Sequence, residues 1–234
     1  MGAAPNSAAD AKGQLRLGLG AGLGLAGALV GIVVPVVLLF LSVYDPGGVL
    51  SFTSSIVQYT AILVLAGAIL LLLSFFVYRR SFAALRRVDP RFVAASVLCL
   101  IGSLGFLLIL VAAAVVVGDS SSLLSCLHGQ PSHALSCLES GAPLGAYTGL
   151  IGFWLGWLGG VGLVLGLFSA GSRFHRAGYS AGGALYAVLL LVLVAPFLSL
   201  LTPIPGIEYL LLVVPILAIV APALVLGASR SEPL

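Results

Sequence analysis

Cys126, His128, His133 and Cys137 are the residues whose types and spacing come nearest to chemistry in this chain. Two thiols and two imidazoles this close together could hold Zn or Cu in a tetrahedral site. The pattern C-x-H-x4-H-x3-C matches no standard zinc spacing. Gly129 and Pro131 lie between the two cysteines and turn the chain back on itself. In an oxidising compartment Cys126 and Cys137 therefore read as a local disulfide, with free thiols or metal ligation as the alternatives. Closing a loop of this size stabilises a fold by up to about 3 kcal/mol. The third cysteine, Cys99, sits in an apolar run and reads as a small packing residue.

Other chemistry finds no residues to carry it. No Asp, Glu, Lys, Arg or His falls in the interior of any long apolar run, and Glu208 stands at the edge of the last one. Proton relays and ion-coupled carriers rely on ionisable groups at depth. A buried haem needs an axial ligand such as His. H-E-x-x-H is absent, and no His and carboxylate accompany a buried Ser. The expectation is a protein that is not an enzyme and takes no cofactor.

The elements that would position any site are apolar. Hydrophobic residues make up 61% of the chain and charged residues 7%, against about 25% charged in soluble domains. So few charges cannot make a water-facing surface. Six runs are long enough for a hydrocarbon core of about 30 Å: about 17–44, 56–78, 93–117, 144–168, 181–201 and 207–227. Lipid offers no hydrogen bonds, so each run must satisfy its own backbone as a helix. The alternation that marks a barrel is absent. The first run has about twice the apolar length of a signal core. The expected fold is an all-α bundle of six transmembrane helices over 17–227, between a tail at 1–16, read as disordered at its start, and a second tail at 228–234.

Charge sets the expected orientation. Lys12 and Arg16 precede the first helix. Arg79, Arg80, Arg86, Arg87 and Arg91 fall between the second and third, Arg173 and Arg176 between the fourth and fifth, and Arg230 after the sixth. The other connections carry Asp45, Asp119, Glu139 and Glu208 and no basic residue. Basic residues stay on the cytoplasmic side, which puts both termini in the cytoplasm and the loop 118–143 outside, in a multi-pass protein of the cell membrane. The net charge of +3 belongs to these flanks, so nucleic acid is not an expected partner. The five arginines around Tyr78–Phe92 are placed to meet anionic headgroups, with Phe82 and Leu85 turned toward the membrane.

Glycine is the positive signal inside the membrane. Gly27 and Gly31 in the first helix, and Gly152, Gly156 and Gly160 in the fourth, repeat every four residues. Such faces let helix backbones approach closely where lipid removes the hydrophobic drive. They serve packing within the bundle, or a homo-oligomer or larger membrane complex. Trp154 and Trp157 lie too deep for an interfacial belt and read as fillers between helices. Pro35, Pro196, Pro215 and Pro222 free backbone carbonyls, which transporters use and packed kinks repair.

The stretch Phe82-Ala-Ala-Leu-Arg-Arg-Val-Asp-Pro-Arg-Phe92, running on through Gly102 and Gly105, resembles a family of archaeal multi-pass membrane proteins of unknown function. The resemblance is confined to the arginine-rich connection and the third helix. It favours an archaeal source and supplies neither an activity nor catalytic residues. The expected role is a non-catalytic structural or accessory subunit of a membrane complex; the alternative is a transporter or channel for a small neutral or apolar solute. Gln58, Tyr59, Thr60, Ser103, Thr148 and Tyr186 are the polar groups such a path would draw on.

Overall fold

The computed structural model describes residues 8–35, 54–118, 143–199 and 213–230. Six long helices follow one another: α1 (Ala8–Ala28), α2 (Ser54–Leu85), α3 (Phe92–Gly118), α4 (Pro143–Phe174), α5 (Ala177–Ser199) and α6 (Val213–Arg230). A π-helical turn, Leu29–Val33, extends α1 toward Pro35. Among the described residues there is no strand, and six helices are long and apolar enough to cross a membrane. The all-α class and the six spans agree with the expectation, and by length and composition this is a multi-pass membrane protein.

Several helices run further than their apolar stretches. α1 starts at Ala8, inside the segment expected as a tail, and α2 and α4 have 32 residues each. At 1.5 Å per residue, 32 residues reach about 48 Å, well beyond a hydrocarbon core. Hydropathy shows only where a helix suits lipid. These ends continue because they bury one another. Phe82 and Leu85 are fully buried inside the bundle, not turned toward the membrane as their apolar character suggested. Leu85 fills the space beside Gly13, and Phe82 fills that beside Gly166. Phe82 also stacks between Tyr78 and Phe92, with ring centroids 6.2 Å and 5.9 Å away.

The connections at this end are tight. After Leu85 the chain folds into a turn in which the Val88 and Asp89 N–H groups donate to the Leu85 carbonyl, both at 2.9 Å. Pro90 disfavours helix at Asp89, and the Asp89 carboxylate accepts the Arg91 N–H at 3.0 Å. α4 ends with Arg176 N–H donating to the Gly171 carbonyl at 3.2 Å, across His175 at φ 52°. This is the helix ending that favours glycine. His175→Gly should therefore raise stability by about 0.5–1 kcal/mol, read as a small upward shift in melting temperature in detergent. A destabilised variant would show that the imidazole contributes more than its backbone strain costs.

The helices close into a ring. Each packs on its chain neighbours, and α6 returns to α1. The chain crosses back and forth, so all ten Lys and Arg residues belong to one end, called the basic end below. Glycine makes the ring tight. A Cβ on Gly102 of α3 would lie 2.6 Å from Gly159 Cα in α4. Gly105 meets backbone of Gly152, Leu155 and Gly156, and Gly27 and Gly31 close on Gly67 of α2. Real Cβ atoms do not approach that closely, so only glycine suits these crossings.

The filled core lies toward the basic end. Leu17, Tyr78, Phe82, Leu85, Phe92, Leu167, Tyr179 and Val225 are all essentially inaccessible. An ion cluster caps it. Arg173, in the last turn of α4, donates from Nε to Asp10 Oδ1 at 2.9 Å and from Nη2 to Oδ2 at 3.1 Å. Its Nη1 lies 3.8 Å from Asp89 Oδ2. Arg176 donates to the Ala228 carbonyl, joining the start of α5 to the end of α6.

Candidate functional site: an apolar chamber within the ring

Above this plug the ring is not filled. A cavity of about 270 Å³ lies inside it, lined by residues of all six helices. Gly24, Ala28 and Ile32 come from α1 and its π-helical turn, and Leu71, Ser74, Phe75 and Tyr78 from α2. Phe106 and Ile109 come from α3, and Phe153, Gly156, Trp157, Gly160 and Leu163 from α4. Tyr186, Leu189, Leu190 and Leu193 from α5 and Ala218 from α6 complete the wall. From Leu163 to Phe153 the wall runs about 15 Å along α4. That stretch is the middle of the candidate span Tyr147–Phe174, so the chamber sits at mid-membrane depth.

The sequence accounts for the void. Glycines at Gly24, Gly156 and Gly160 withdraw side-chain volume from the inner faces of α1 and α4. Phe75 and Phe106 pack together at 4.9 Å between centroids and hold that side of the wall open. The π-helical turn offsets α1 just where it meets Gly67, as such turns often do near functional sites. The Val34 N–H bonds back to the Leu29 carbonyl, so the irregularity precedes Pro35.

The lining is almost wholly apolar and has no Asp, Glu, Lys, Arg or His. Its polar atoms gather at the plugged end. Ser74 Oγ donates to the Gly20 carbonyl at 2.7 Å. A Cβ on Gly24 would lie 3.2 Å from Ser74 Oγ and 3.7 Å from the Tyr186 oxygen, so both oxygens face the same glycine. The Tyr78 hydroxyl is buried and makes no hydrogen bond. Its nearest polar neighbour is the Tyr186 phenol. The Trp157 indole N–H is committed to the Leu190 carbonyl at 3.1 Å. Such a chamber can hold an apolar molecule and offer it a few hydroxyls; it supplies no nucleophile with a base beside it.

The residues singled out from sequence scatter across the fold. Gly27 and Gly31 serve the α1–α2 crossing and Gly152 the α3–α4 crossing. Gly156 and Gly160 face the chamber, and Leu190 of α5 packs over Gly160. Arg80, Arg86, Arg87 and Arg91 are exposed at the basic end and Arg79 is half-buried. Trp157 lines the chamber, whereas Trp154 is 39% exposed on the outside of the ring. Cys99 is buried, with its thiol 4.0 Å from the Gly159 carbonyl. Cys126, His128, His133 and Cys137 lie outside the described residues, as do Asp45, Asp119, Glu139 and Glu208. Among the described residues there is no disulfide and no group of side chains placed to hold a metal.

Of the polar groups expected to line a path, Tyr186 does so. Ser103 is instead buried, donating to the Cys99 carbonyl at 2.8 Å. Ser74 and Tyr78 were missed. Their four-residue spacing on α2 and the matching spacing of Gly20 and Gly24 on α1 were the available signal.

Comparisons with protein-family models, with curated proteins and with solved structures find no match for this chain.

Proposed function

We propose that this protein is a non-catalytic, multi-pass protein of the cell membrane whose helix ring takes a small neutral, apolar solute into its central chamber, as a transporter or carrier would. One observation carries this reading: a mid-span cavity of about 270 Å³, walled by all six helices and lined by no Asp, Glu, Lys, Arg or His. Apolar cavities of about 150 Å³ stay dry and take up benzene, so a larger one at lipid depth is suited to hydrocarbon. The one-sided basic residues support a cytoplasmic basic end, which makes the plug of Tyr78, Phe82 and Tyr179 the inner closure. The exposed arginines there support contact with anionic headgroups. A structural or accessory subunit would need no such chamber.

Gly156 allows a direct test. A Cβ there meets only ordinary contacts, with Phe106 at 3.9 Å and Ile109 at 4.0 Å, so a larger side chain enters the chamber without parting helices. Bromooctane added to detergent-solubilised Trp154→Phe protein should quench Trp157 saturably. Adding Gly156→Leu should reduce that saturable quenching at least about tenfold while melting temperature holds within a few degrees. Equal, non-saturable quenching in both proteins would return the chain to the structural or accessory reading.

A further inference from the structure

The chamber is asymmetric, and that asymmetry describes its ligand. Hydrocarbon lines its length, while the hydroxyl-bearing residues Ser74, Tyr78 and Tyr186 line it at the plugged end. A purely apolar occupant would leave the buried Tyr78 hydroxyl without a partner, an unfavourable state for a group at membrane depth. Water could answer it, but so could a ligand atom. The Ser74 hydroxyl has spent its proton on the Gly20 carbonyl and keeps lone pairs to accept with. The two phenols have protons to give.

The geometry points to an uncharged amphiphile as the ligand: a hydrocarbon body along the chamber and a single oxygen head, hydroxyl or carbonyl, against Tyr78 and Tyr186. This rests on the proposed reading that the chamber takes an apolar molecule and adds what recognises its head. A carboxylate or ammonium head is disfavoured because no opposite charge lines the chamber, and an unpaired ion there is costly. Tyr78 acts as a donor to the head oxygen. A hydroxyl head can in turn donate to Ser74 Oγ, whereas a carbonyl head accepts from the phenols alone. Each contact with Tyr78 or Tyr186 is a neutral hydrogen bond, so each should alter affinity about three- to tenfold.

The test uses octane, octanol and octanoate, each with a terminal bromine, and Trp157 quenching in the full-length Trp154→Phe protein. Octanol should bind about tenfold more tightly than octane, and octanoate more weakly than either. Tyr78→Phe keeps the ring and its stacking on Phe82, so the fold is retained; melting temperature checks this. In that variant octane affinity should hold while the octanol preference falls to about twofold or less. Tyr186→Phe, made separately, should also reduce the preference. Octanol and octane binding equally to the unmodified pocket would overturn head recognition and leave the apolar chamber standing. Octanoate binding best would overturn it as well. If none of the three binds saturably, the chamber reading itself fails.

Discussion

Asp10→Ala should destabilise the protein by about 3–5 kcal/mol, although Asp10 lies outside every apolar run in the sequence. Asp10 is 2% exposed and accepts two hydrogen bonds from one guanidinium. Bidentate pairing of this kind is stronger and more directional than a single contact. The two helix ends add to it. Asp10 stands in the first turn of α1 and Arg173 in the last turn of α4, where each charge suits the local helix dipole.

Removing the carboxylate leaves Arg173, whose side chain is 13% exposed, with Asp89 at 3.8 Å as its nearest remaining acid. The cost is mostly that of stranding a poorly hydrated cation. Thermal unfolding in detergent would measure it, and Arg173→Met combined with Asp10→Leu should recover much of the loss because neither member of the close pair is then stranded. Added salt should change little, since a buried pair is weakly screened. A loss below about 1 kcal/mol is what an exposed pair would give, and would mean that the cluster opens to water in solution.

The second large effect is expected where α3 crosses α4. Gly105→Val places methyl groups where a Cβ alone would lie 2.6 Å from the Gly152 carbonyl oxygen and 2.7 Å from the Leu155 carbonyl carbon. Both are backbone atoms and cannot turn aside, so the helices must separate. Overpacking usually costs about 1–3 kcal/mol, and a rigid backbone contact belongs at or above the top of that range. Gly22→Ala is the control, because nothing lies within 4 Å of a Cβ there. Helix propensity alone should make it neutral to about 1 kcal/mol stabilising. The measurement is the recovery and melting temperature of monodisperse protein in detergent. Wild-type behaviour of Gly105→Val would contradict the α3–α4 packing.

These two sites were not equally visible from sequence. The glycine content of the fourth helix announced close packing, and Gly152 does pack closely. Yet Gly156 and Gly160, on the same four-residue repeat, face the chamber, while Gly159 makes the tight crossing. A repeat identifies a face, and it takes the neighbouring helices to decide what that face meets. The chamber was less legible still. Voids are properties of several helices at once, and Ser74 and Tyr78 looked like ordinary polar residues in an apolar run.

What the sequence determined by itself follows from the solvent. Each apolar run must satisfy its own backbone in lipid, so six helices could be read one at a time. The grouping of Lys and Arg at one end follows from the same local reading. Tertiary structure decided what depends on pairs distant in the chain. Asp10 and Arg173 meet across most of the sequence, drawing α1 back to Ala8. Phe82 and Leu85, apolar and next to arginines, suit the membrane surface equally well until Gly166 and Gly13 provide recesses for them. Hydrophobicity is blind to whether the apolar neighbour is lipid or protein; only the ring, by bringing six inner faces together, separates plug from chamber.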